Sequence, residues 1–201
     1  MEEIDPNGFY RETMAELHAS IRAQYDRNDF SFEEISEYLD VDVSTVQSWC
    51  ARWKEYQTGT VSTSAPNLYN LCCLSRLFRA ALVIGITDRP YGYYKLTPSA
   101  FCEFEPNTAE TPALSKVVGE YSALLIRQLM KLKENNNLCP LEYKKLNVPK
   151  TISVLRDATR PSTTGKGLVY LMCKISQAHG LHFRAFLSDV KEFNDYDKLQ
   201  T

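Results

Sequence analysis

The chain is predicted to be mostly α-helical, made of small helical units with one short β-hairpin between them. Three observations lead there. Apolar residues recur at three- and four-residue intervals along much of the 201 residues. Helix-starting and helix-stopping residues bracket several of these stretches. Only Gly85 to Ala100 breaks the pattern, with β-forming residues on either side of a turn sequence.

The first expected helix runs from Phe9 to about Tyr25, where Met14, Leu17, Ala19, Ile21 and Tyr25 fall near helical spacing. Residues 31–53, SFEEISEYLDVDVSTVQSWCARW, are the most informative stretch. Ser31 with Glu34 forms a capping box that starts a helix. Ile35 and Leu39 give it an apolar face, and Ser36 is small enough for a close helix crossing. Asp40-Val41-Asp42 makes a polar turn with one apolar anchor. Val46, Trp49, Cys50 and Trp53 form a second apolar stripe. These two short helices resemble the helix-turn-helix family, in which the second helix lies in the major groove. Asp40 stands where the family has glycine, and Ser36 where it has alanine; aspartate tolerates left-handed backbone geometry. The resemblance implies DNA contacts from Ser44, Thr45, Gln47, Ser48 and Arg52, with Gln47 suited to adenine and Arg52 to a phosphate.

Thr58 to Asn67 is rich in Ser and Thr, with Gly and Pro, and reads as a linker. A helix is expected from Leu68 to about Val83, with Leu71, Leu74, Leu77, Phe78 and Ala81 on one side. Then Ile86-Thr87 and Tyr93 to Thr97 flank Asp88-Arg89-Pro90-Tyr91-Gly92 as a hairpin. It resembles the wing of winged-helix regulators, which implies a DNA contact from Arg89 at its tip. A hairpin whose tyrosines merely cover the core is the alternative. Phe101 to Pro112 reads as a second linker, and Leu114 to about Leu132 as a strong amphipathic helix.

Cys139 to Leu181 resembles the Cro/repressor-like helix-turn-helix class (XRE type). Pro140 suits the first turn of a short helix carrying Leu141 and Leu146. Asn147-Val148-Pro149 forms the turn, and Lys150 to Asp157 the recognition helix, with Ile152 and Leu155 inward. The turn is one residue shorter than the family's. An Arg-Pro-Ser loop follows, then a closing helix with Leu168, Leu171, Met172, Ile175 and Ala178. Gly180 stops that helix, and Leu181 folds back on it. The resemblance implies groove contacts from Lys150, Thr151, Ser153 and Arg156. Arg160, Ser162, Thr163, Thr164 and Lys166 would hold phosphates from the loop. The tail, with Phe183, Phe186, Leu187, Val190 and Phe193, is expected to be an amphipathic helix serving as core or dimer surface. No repeat of fixed length is evident, although the helix-turn-helix pattern occurs twice.

Expected boundaries are residues 1–57 for an N-terminal helix-turn-helix domain, 58–112 for the linker, helix and hairpin, and 113–201 for a basic C-terminal domain. Charge is polarised along them. From Met1 to Gln57 there are five basic and thirteen acidic residues; from Ala113 to Lys191 there are thirteen basic and five acidic. That asymmetry points to nucleic acid, although the acidic head repels phosphate.

Other function classes are disfavoured. No run of 18 apolar residues exists to span a membrane, and the acidic N-terminus lacks a signal-peptide core. Six cysteines without a CxxC pair read as reduced core residues of a cytoplasmic protein. Cys173, His179 and His182 lack a fourth partner for a metal, so no metal or cofactor is expected. Gly165-Lys166-Gly167 fails as a phosphate-binding loop, because Gly167 occupies the place of the magnesium-binding hydroxyl. Asp26, Asp29, Glu33 and Glu34 fall where solvated acids are common, so no catalytic residue is expected. The resulting expectation is a sequence-specific double-stranded DNA-binding transcriptional regulator of phage or mobile-element style, working as a homodimer on an operator. In the alternative, the acidic first module binds a protein partner or oligomerises, and only the basic module meets DNA.

Overall fold

A computed structural model of the chain describes residues 8–51, 65–87, 114–135, 137–158 and 167–189. Within them the order is four helices and a strand, twice over. The first set is α1 (Gly8–Arg27), α2 (Phe32–Leu39), α3 (Val43–Cys50), α4 (Leu68–Phe78) and β1 (Ala81–Thr87). The second is α5 (Leu114–Glu134), α6 (Pro140–Lys145), α7 (Val148–Arg156), α8 (Leu168–Ala178) and β2 (His182–Ser188). The sets match in size as well as order. Their opening helices have 20 and 21 residues, their closing helices 11 each and their strands seven each.

The two strands pair with each other, antiparallel, with Ile84 facing Ala185 at the centre. Ala81 faces Ser188 and Thr87 faces His182, so the register is symmetric about that central pair. A two-stranded ladder leaves alternate N–H and C=O groups pointing outward on each strand, and these need partners. The long helices supply them crosswise. On the β2 side, the Thr13 hydroxyl of α1 donates to Phe183 O (2.7 Å), and Leu187 N–H donates to the Ser20 hydroxyl (2.9 Å). On the β1 side, the Tyr121 hydroxyl of α5 donates to Leu82 O (2.9 Å), and Ile86 N–H donates to Gln128 Oε1 (3.0 Å). Thr13 and Ser20 correspond to Tyr121 and Gln128, 108 residues later; Leu82 and Ile86 correspond to Phe183 and Leu187, 101 residues later. Arg184 adds a two-pronged ion pair with Glu16.

Burial follows the same correspondence. Tyr10, Leu17 and Ile21 on α1 match Val118, Leu125 and Leu129 on α5, and none of the six is more than 3% exposed. One hydrophobic cluster runs through residues from α1, α3, α4, α5, α7, α8 and both strands. α1 therefore shares its core with β2, near the other end of the chain.

Three expectations are corrected. The helix begun at Leu68 stops at Phe78 rather than near Val83. Arg79 takes a left-handed conformation (φ 53°) and Ala80 N–H closes back on Ser75 O (3.0 Å), turning the chain into the β-branched run of β1. Second, the strand expected at Ile86-Thr87 starts earlier, at Ala81, while the expected second arm of the hairpin, Tyr93 to Thr97, lies outside the described residues. Ile86 and Thr87 end β1, whose partner among the described residues is β2; residues 88–113 lie outside them. Third, the described part of the tail, 182–188, is a strand and not a helix; Val190 and Phe193 lie outside the described residues. Phe183, Ala185 and Leu187 are buried, and the residues between them are half-buried. Phe183, Phe186 and Leu187 fit a helical period, Phe183 and Leu187 fit the strand period as well, and pairing with β1 selects the strand. Gly180 does stop the preceding helix: at φ 68° it lets Leu181 N–H reach Ser176 O (2.9 Å).

The shared core predicts that Leu17→Ala and Leu125→Ala each lower stability by about 2–5 kcal/mol, the usual cost of emptying a buried leucine site. Because both belong to one core, tryptophan fluorescence and far-ultraviolet circular dichroism should report a single coincident urea transition in the wild type and in each variant.

Candidate nucleic-acid interface

Each set of elements carries a helical corner made from its second and third helices, packed on its long helix. In the first, Ser31 caps α2: Glu34 N–H donates to the Ser31 hydroxyl (3.2 Å), and Ser31 N–H donates to Glu34 Oε2 (2.8 Å). The Ser31 N–H, and next the Ser31 hydroxyl donating to the same Oε2 (3.0 Å), lower the Glu34 pKa. Asp40 sits in left-handed geometry (φ 53°, ψ 52°), as the turn requires where glycine is absent. Val41 N–H donates to Ser36 O (3.1 Å) and the Ser36 hydroxyl to Val41 O (2.8 Å), which fixes the exit from α2. Ile35, Leu39, Val46, Trp49 and Cys50 are buried.

The expected contact residues of this corner divide by exposure. Ser44 and Gln47 are exposed, three positions apart on α3. Thr45 and Ser48 are half-buried, and the Ser48 hydroxyl donates to Thr45 O (2.7 Å). Arg52, like Arg89, lies outside the described residues. Around them stand Glu33, Glu34, Glu37, Asp40 and Asp42, all exposed. From residue 28 to residue 51 there are six acidic residues and no basic one.

The second corner repeats the design with other chemistry. Cys139 N–H donates to Glu142 Oε2 (2.8 Å), the same reach-back that Glu34 makes to Ser31. Each turn holds one left-handed residue, but at different places: Asp40 closes α2 in the first corner, and Asn147 (φ 60°) opens α7 in the second. Tyr143, rather than Leu141, is the buried residue of α6; its hydroxyl donates to Leu132 O (3.3 Å), while Leu141 is 60% exposed and Leu146 half-buried. On α7, Leu155 is fully buried and Ile152 half-buried. The Ser122 hydroxyl of α5 donates to Leu155 O, tying the corner to the long helix.

Lys150, Ser153 and Arg156 are exposed and recur every three residues, so they share one face of α7. Thr151 does not join them. It is fully buried and its hydroxyl donates to Asn147 O (3.0 Å), which removes it from any groove-facing surface. Arg160, Ser162, Thr163, Thr164 and Lys166 lie outside the described residues. Sequence reasoning passed over Lys144 and Lys145, which are exposed at the end of α6 beside the turn. Their position at a helix C-terminus was the available signal, since lysines there favour both the helix dipole and an approaching phosphate. Over residues 137–158 there are four basic residues and two acidic ones.

Among the described residues, no three His, Cys, Asp or Glu side chains cluster closely enough to hold a metal ion. Cys173 is buried in the core, where burial pushes its thiol up to about 12. Cys139, expected with the other cysteines in the core, is exposed instead. No described helix is long and apolar enough to cross a membrane. Comparison with family models, characterised proteins and solved structures finds no match for this chain.

His18 supports the first corner from below. It is fully buried on α1, and burial lowers its pKa to about 4, opposed by the nearby Ser48 backbone on α3. The unfolded chain therefore binds this proton near pH 6.5, whereas the folded chain does so only near 4. Stability is complete above pH 6.5 and falls as pH drops towards 4, by about 3 kcal/mol over the whole window. His18→Gln should flatten urea midpoints measured between about pH 7.5 and 4.5, while His179, shifted the same way by burial, preserves a smaller slope.

Proposed function

We propose that the chain binds double-stranded DNA and regulates transcription from the site it occupies, with α7 as the element that enters the major groove. The observation carrying this reading is the exposed set Lys144, Lys145, Lys150 and Arg156, gathered on a two-helix corner whose second helix is held at both ends. Asn147 sets its start in left-handed geometry, and the Ser122 contact holds its end. Lysines and arginine supply the phosphate neutralisation that dominates nucleic-acid affinity. Ser153, between two basic residues on the same face, suits a base edge or a phosphate oxygen.

This arrangement supports occupancy of an operator, with promoter blocking or polymerase recruitment as the consequence. Fluorescence anisotropy with duplexes selected from a random-sequence pool tests it. Wild-type protein should bind with an affinity that falls steeply with salt. Lys150→Ala and Arg156→Ala should each weaken binding across all sequences and reduce the salt slope by about one. A protein that retains no duplex even in dilute buffer does not have this function.

A further inference from the structure

Helix-turn-helix proteins usually obtain a second reading helix from a second subunit, related by a two-fold axis that matches the symmetry of the operator. This chain carries the equivalent of that partner within itself. We infer that one chain engages an inverted pair of half-sites, α7 on one and α3 on the other, without a second copy. The inference rests on the DNA-binding reading above and adds the form of the target.

The sheet register is the first support. Replacing each strand residue by its counterpart in the other strand reproduces the same pairs: Ala81 with Ser188 becomes His182 with Thr87. Such exchange symmetry is what a two-fold axis through the Ile84–Ala185 pair produces. The crosswise hydrogen bonds are the second, because both contacts of α1 with β2 recur between α5 and β1 at corresponding residues. The relation then extends outwards through packing. α3 rests on α1 and α7 rests on α5, so each corner is carried by the long helix that caps the other set's strand. A two-fold relation between reading helices calls for half-sites in inverted order.

The half-sites need not be alike, since the surfaces of the two helices differ. Val43 and Val148 open the helices, and Ser48 and Ser153 hold the same place along them. Thr45 in α3 corresponds to Lys150 in α7. α3 thus offers neutral groups, Ser44 and Gln47, able to read base edges but not to anchor phosphate. The carboxylates Asp40 and Asp42 beside it oppose the approach of phosphate. The expected target is an asymmetric inverted repeat in which the α7 half provides the electrostatic hold and the α3 half adds discrimination.

The test uses the full chain on a duplex selected from a random pool. Hydroxyl-radical footprinting should protect two inverted half-sites, and native mass spectrometry should count one chain per duplex. Gln47→Ala should weaken binding roughly tenfold and relax base preference in one half only. The double variant Asp40→Asn with Asp42→Asn should bind severalfold tighter, because removing two carboxylates beside the duplex lessens repulsion. All three residues are exposed, and circular dichroism confirms that each variant is folded. Protection of a single half-site, two chains per duplex, or unchanged DNA affinity in both variants overturns the inference while leaving DNA binding by α7 intact. The last result would assign the acidic corner to a protein partner. Failure to bind any duplex overturns the DNA reading itself.

Discussion

Everything else in the structure hangs on the capping of a two-stranded sheet by long helices from the two halves of the chain. Two strands alone are marginal in water, since each keeps an outer row of unpaired backbone groups. Here the Thr13 and Ser20 hydroxyls of α1 satisfy β2, and Tyr121 and Gln128 of α5 satisfy β1. Because each long helix serves the strand of the other set, neither set closes its own sheet. The exchange binds the two into one core and determines where both corners sit.

Left-handed residues then aim the elements. Asp40, Arg79, Asn147 and Gly180 are the described positions with positive φ, and each lies where one element gives way to the next. At three of them the last helical turn closes in the same way, through Val41 N–H to Ser36 O, Ala80 N–H to Ser75 O and Leu181 N–H to Ser176 O. The shared bond gives α2, α4 and α8 the same form of exit. Ser36 and Ser75 add a second bond, from their hydroxyls to Val41 O and Ala80 O (2.8 and 2.6 Å). Only Gly180 reaches positive φ without steric cost; Asp40 and Asn147 are the next most tolerant residue types.

The local features were legible in the sequence because local chemistry determines them. The capping box at Ser31, the turn at Asp40, the helix from Leu114 and the stop at Gly180 each depend on residues a few positions apart. The strand pairing was not legible beyond Ile86-Thr87, because 182–188 becomes a strand through a partner about 100 residues away. The duplication stayed hidden for a different reason. Corresponding residues lie 108 apart in the long helices, as with Leu17 and Leu125, but 101 apart in the strands, as with Leu82 and Phe183. Loop-length differences shift the offset midway, so no single period exists to detect. Few residues are identical between the sets; Glu34 and Glu142, Val43 and Val148, and Ser75 and Ser176 are among them. At the candidate site, basic character was readable but facing was not. Thr151 and Lys150 are neighbours in sequence, yet one is in the core and the other in solvent.

The division between conserved packing and divergent surface within one chain has a physical consequence. The two corners keep the same reach-back cap and the same packing of their second helix on a long helix, although the buried side chains differ in size. Exposed positions carry no such constraint, and they differ in sign: six acids without a base around α2–α3, four bases with two acids around α6–α7. Charges act over roughly 8–10 Å at physiological salt, about the width of one helix. The basic corner would therefore attract a polyanion that comes within this range, and the acidic corner would repel it. For the duplex proposed above, such a charge distribution would orient the polyanion before any short-range contact forms, and the acidic corner would be engaged only where specific contacts exceed the repulsion.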